Sequence, residues 1–173
     1  MRERFTSILR QQIDSITRVW VDEIYVDRRT HLPLILSARE QVEFLPELSD
    51  ELSFVLDSAA TPVEICEAAE RLRVYPQVRF QQGVLIDEMA RELMLLRDVF
   101  NNILWHEALR ATGVDVRGMG DVLRRTNIFF DELIAQSILT YAACLRPGVP
   151  TRASVWPPPR RRRMAERPEA SEL

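Results

Sequence analysis

The chain contains no lysine at all, although it carries 23 basic residues, every one of them arginine. Two cysteines, Cys66 and Cys144, are too few and too far apart for a disulfide framework or a CxxC zinc site, and they read as small buried hydrophobes. Two histidines, His31 and His106, leave little material for a metal centre or for acid–base chemistry. Five glycines form neither a phosphate-binding loop nor a dinucleotide fingerprint. No uninterrupted apolar run approaches the roughly 20 residues of a membrane span, and the N-terminus MRERFTSILRQQ lacks the apolar centre of a secretion signal. These absences predict a cytoplasmic protein that is not in a membrane and has no cofactor, metal or catalytic residue.

What is present is helical patterning. With 173 residues, 46% of them hydrophobic, the chain can bury a core without staples. From Arg2 to Val26, Phe5, Ile8, Ile13, Ile16, Trp20 and Ile24 recur at steps of three to five residues, one face of a helix. Ser37 with Glu40 forms a capping box that starts a second helix, in which Pro46 predicts a kink. Thr61-Pro62-Val63-Glu64 combines an N-cap hydroxyl, a proline at the first turn and a capping acid, and starts a third. Pro76 and then Gly83 punctuate it. Leu85, Met89, Leu93, Leu96, Phe100, Ile103 and Leu104 mark the next helix, closed by Gly113. A last helix runs from Val116 or Asp121 to Leu145, with Val122, Phe129, Leu133, Ile138 and Tyr141 facing inward. No alternating strand pattern competes, so the expected fold is all-α, a bundle of about five or six helices.

Composition changes beyond Pro150. Residues 1–147 are expected to form the domain, and residues 148–173, rich in Pro and Arg, a disordered tail or linker. Beyond Pro150 six Arg face three Glu, a net +3; with −3 overall, the rest of the chain is −6, which argues against a basic nucleic-acid face on the folded part. The run Arg160, Arg161, Arg162, Arg163 is a candidate partner-binding element, and a nucleic-acid adaptor acting through it is an alternative function. The preferred reading is a solvated charged linker. A haem-binding sensor using His106, beside Trp105, is a further alternative. An exposed or hydrogen-bonded helix histidine is the simpler account.

The stretch VRFQQGVLIDEMARELMLLR, residues 78–97, interrupts an apolar helical run with a polar cluster. Arg79, Gln82, Arg91, Glu92 and Arg97 could line a pocket, or they could be the polar joint between two helices that meet at Gly83. We prefer the joint, with Gly83 allowing close packing and Arg79, Gln82, Glu92 and Arg97 fixing the helix angle.

The same residues carry a family resemblance. Arg79, Gln82, Gly83, Arg91, Glu92, Leu95, Leu96 and Arg97, together with Phe130, Glu132, Ile134 and Gln136 in FFDELIAQSI, resemble the N-terminal domain of the RsbR family, the RsbT co-antagonists of bacterial stressosomes. Similar domains begin many bacterial sensor histidine kinases. Tyr75-Pro76 stands where that family has His-Gly, and Leu93 where it has Tyr. The resemblance implies a globin-like fold without haem, usually dimeric, that serves as a sensory or regulatory module. It implies a homodimer and a bacterial signalling partner such as a kinase, phosphatase or anti-sigma component. It implies no enzyme activity.

Overall fold

The computed structural model describes residues 4–110 and 116–145. Among them there are eight helical segments and no strand: α1 (Arg4–Val26), α2 (Leu32–Ile35), α3 (Ala38–Val42), α4 (Leu45–Asp57), α5 (Pro62–Arg71), α6 (Val74–Gln81), α7 (Ile86–Arg110) and α8 (Val116–Leu145). Six of these are eight residues or longer, and α2 and α3 are single turns. The fold is an all-α bundle, as the patterning predicts.

The amphipathic face of α1 is buried through Leu9, Ile16, Trp20 and Ile24. Its free N-terminal amides are satisfied from another helix: Asp57, at the end of α4, accepts from the Phe5 and Thr6 amides, both at 2.9 Å, and from the Thr6 hydroxyl. A carboxylate there also complements the positive end of the helix dipole. Both capping boxes form. Ser37 and Glu40 exchange bonds at the start of α3, and Thr61 and Glu64 do so at the start of α5.

Three local expectations change. Pro46 does not kink a continuous helix; it sits in the first turn of α4, separate from α3, where its missing amide leaves nothing unpaired. Pro76 likewise lies in the first turn of α6 and not within α5. Leu85 precedes α7 and is exposed, and Ile138 is exposed, not inward. Gly113 lies outside the described residues, as does the tail from residue 146 onward with Arg160, Arg161, Arg162 and Arg163.

The bundle is organised on α8, which packs against α4, α5, α6 and α7, while α1 packs across α4 and α7. Phe129 stacks edge-on to Phe130, and Phe130 tilts against Phe100 of α7. A polar seam fixes the α7–α8 register: Asn101 donates to Asn127 at 2.9 Å and Arg97 to Asp131 at 3.1 Å. Unlike the interrupted apolar runs of the sequence, residues 117–145 form one helix that is long and apolar enough to cross a membrane by length and composition, with 28% of its most apolar window buried.

Candidate functional site

The polar cluster in residues 78–97 closes around Arg79 of α6. Its guanidinium is fully buried, and each of its five N–H donors has an acceptor. Nε and Nη2 reach the two carboxylate oxygens of Glu92 at 3.0 and 2.8 Å. Nη1 donates to the Gln82 side chain and to the Glu40 backbone carbonyl, and Nη2 also donates to the Gln41 carbonyl. Phe44 and Tyr75 rings flank it at 5.6 and 5.2 Å. The Tyr75 hydroxyl donates to Glu92 at 2.8 Å, and the Trp20 indole donates to the Glu92 carbonyl. Five segments, α1, α3, α6, α7 and the Phe44 turn, thus meet on one ion pair.

Burial opposes the charge on Arg79, but the Glu92 carboxylate beside it holds its pKa above the usual arginine value. Burial pushes the Glu92 carboxyl up against the pull of Arg79 and Tyr75. The Tyr75 hydroxyl is pushed well up by burial and by Glu92. All three groups are hydrogen-bonded to one another in the interior.

One turn before Glu92 on α7 stands a second buried carboxylate, Glu88. It accepts from the Thr30 hydroxyl, from the His31 amide at 3.0 Å, and approaches the His31 ring Nδ1 at 3.1 Å. Burial works to raise its pKa, but these partners prevail and hold it below the usual carboxylate value. The turn is reinforced by Asp27, whose pKa is pulled down to about 2 by the hydrogen bonds from Arg29, with a smaller contribution from Arg91.

The remaining sequence candidates lie elsewhere. Gly83 has φ +80, and a Cβ there would meet nothing within 4 Å, so its backbone conformation and not close helix packing calls for glycine. Arg91 is half-buried on α7, near Asp27. Arg97 is apart from the Arg79 cluster and pairs with Asp131 and Asp98. Glu132 accepts from Gln136 at 2.9 Å and from the Cys66 thiol, whose pKa is pushed up first by that bond and then by burial. His106 is exposed near the end of α7. Among the described residues no group of three or more His, Cys, Asp or Glu could hold a metal. Sequence reasoning missed Glu88, Thr30 and Asp57, whose roles depend on partners more than 50 residues away.

On the outside of the bundle, α8 presents an apolar face. Ala135, Ile138, Ala142 and Leu145 are exposed at steps of three and four, with Leu139 beside them at 69% exposure. Steps of three and four keep these residues on one side of α8. Between α1 and α4 an open cleft is lined by Thr6, Arg10, Asp50, Phe54 and Asp57, but Asp57 is committed to capping α1 and Arg10 faces Asp50 at 3.6 Å.

Comparison with protein families matches residues 14–149 to the RsbT co-antagonist protein rsbRD N-terminal domain. Comparison with curated proteins and with solved structures gives no match.

Proposed function

The chain belongs to the RsbT co-antagonist protein rsbRD N-terminal domain family, regulatory domains of stress-response signalling, and from that premise we propose that it works without catalysis, by self-association and by docking a signalling partner. The partner is a kinase, phosphatase or anti-sigma component of a bacterial stress or two-component pathway, met in the cytoplasm. Residues 1–147 act as the domain, in a globin-like arrangement without haem, and residues 148–173 as its tail or linker.

The observation that carries this reading is the outer face of α8. A core helix of a soluble bundle hides its apolar surface, whereas this one leaves Ile138, Leu139, Ala142 and Leu145 in solvent. Contiguous apolar surface of that kind marks an interaction site. Alanines at every second seam position permit close approach of a second helix, and identical copies offer identical seams, the requirement for a two-fold pair. The polar cluster at Arg79 supports a structural part for the family motif, since every donor in it is already used.

Light scattering across a dilution series tests the reading. A mass of two chains at micromolar concentration supports it. One-chain mass at every concentration refutes self-association.

A further inference from the structure

The exposed apolar face of α8 runs from Ala135 to Leu145, and Asp131 stands one turn before its first member. Asp131 meets the Arg97 guanidinium of α7 at 3.1 Å, and Asp98 meets the same guanidinium at 3.6 Å. Both carboxylates are 66% exposed. One arginine between two acids leaves that place with an excess negative charge. The outer side of α8 is therefore apolar towards Leu145 and acidic at Asp131.

The sequence that follows Leu145 carries the same two chemistries with the opposite charge. Its one aromatic residue is Trp156, then come Pro157, Pro158 and Pro159, and then Arg160, Arg161, Arg162 and Arg163. The spacings match those of α8 read backwards. Leu139 lies eight residues from Asp131, about 12 Å along a helix. Arg160 lies four residues from Trp156 across the prolines, about 12 Å at the rise of an extended proline chain. An indole seated on Leu139 thus brings the first arginine to Asp131. The chain between Leu145 and Trp156 is long enough to reverse, since Leu139 is only about 9 Å back along the helix. Net charge agrees as well, at +3 beyond Pro150 against −6 for the rest.

We propose that the chain after Leu145 docks back along the outer face of α8, with Trp156 on Ile138 and Leu139 and the arginine run on Asp131 and Asp98, and that a second copy must displace it to pair. The second half rests on the reading of α8 as a self-association face. Docking within one chain has the advantage of proximity, because a short connection holds the segment at a millimolar effective concentration beside its site. The indole removes the exposed Ile138 and Leu139 side chains from water. The arginines add cations where Arg97 alone serves two carboxylates. Segment and second copy compete for one surface, so the affinity of the pair is reduced by the fraction of chains whose face is already covered.

The test uses the full chain as wild type, Trp156→Ala, Asp131→Asn and Leu139→Asp, none of which alters a buried residue. Acrylamide quenching, at a dilution where the mass is that of one chain, reads the docking. The difference between wild type and Trp156→Ala isolates Trp156 from Trp20 and Trp105. Trp156 should be quenched well below a free tryptophan amide. It should become as accessible as the free amide in Leu139→Asp, and more accessible in Asp131→Asn and in about 1 M salt, where screening acts within about 3 Å. A Trp156 as accessible in wild type as the free amide overturns the docking, and so does a protected Trp156 that ignores both substitutions. The dilution series reads the competition. Trp156→Ala should pair about tenfold more tightly than wild type. An unchanged or weaker affinity in Trp156→Ala overturns the competition, as does a wild type that keeps the mass of two chains at every dilution. A wild type of one-chain mass at every concentration refutes the self-association reading, and the quenching result still decides on the docking.

Discussion

Arg79 and Glu92 form an ion pair with no solvent access, joined through both carboxylate oxygens at 3.0 and 2.8 Å. Such a pair is a poor source of net stability against an apolar replacement, but it punishes the loss of one partner, because the other charge stays buried and uncompensated. Glu92→Gln or Arg79→Met is therefore expected to cost about 3–5 kcal/mol in urea unfolding. The double variant Arg79→Met/Glu92→Met should cost clearly less than the sum of the singles. A single variant that shifts stability by under about 1 kcal/mol would show the pair to be solvated in solution, like a surface salt bridge.

Glu88 gives the anchoring of Thr30 and His31 an acid dependence of defined sign. Its folded-state pKa lies below the ordinary 4.5 because the partners of the carboxylate outweigh the opposing effect of burial. A group depressed on folding contributes stability that is complete above its unfolded pKa and is lost as pH falls through the folded value. Glu88→Gln should thus be less stable than wild type at pH 7, and the gap should close as pH falls below about 4.5. Asp27, Glu40 and Glu64 are also held low, but they are common to both proteins and cancel in the difference. Urea unfolding over a pH series is the measurement. A gap that stays constant down to the lowest pH at which both proteins fold would remove the Glu88 carboxylate as its source.

Two backbone positions make the same demand and meet it with different residues. Gly83 has φ +80 and Ala59 has φ 53, both left-handed, and only one of them is glycine. Gly83→Ala should destabilise by about 1–2 kcal/mol even though a Cβ there meets nothing, whereas Ala59→Gly should stabilise by up to about 1 kcal/mol. Thermal unfolding of both variants checks the pair. A neutral Gly83→Ala would mean that the corner relaxes at no cost.

The parts of this fold that were legible in the sequence are those whose physics is local. A capping box needs only Ser37 and Glu40, or Thr61 and Glu64, and the buried stripe of α1 needs only Ile16, Trp20 and Ile24 at helical spacing. Glu88 was illegible because an acid in the first turn of a helix is also what the dipole favours, and nothing local announces that Thr30 and His31 will arrive to bury it. In the sequence prolines 46 and 76 look like interruptions, because a proline within an apolar pattern and a proline at a new helix start are alike until the chain is seen to turn before them. Ile138 looks inward in the sequence for a different reason. Residues 128–145 are apolar on nearly every side, and a period cannot choose an inner face where there is little contrast.

That uniform apolarity is also what makes α8 the surface to test by substitution. Ile138 and Leu139 are 40% and 69% exposed, so an aspartate at either position meets water in the isolated chain and should leave its fold intact. In a pair of helices the same aspartate would be buried against an apolar neighbour with no partner, a cost that a marginal interface does not survive. Ile138→Asp and Leu139→Asp are therefore expected to run at one-chain mass in light scattering, with helical circular dichroism unchanged. Leu109→Asp serves as the control, since Leu109 is 55% exposed but lies on α7, away from the seam. If both α8 variants keep the mass of two chains, the seam is not the contact. If the control dissociates as well, loss of apolar surface in general, and not pairing through α8, accounts for the result.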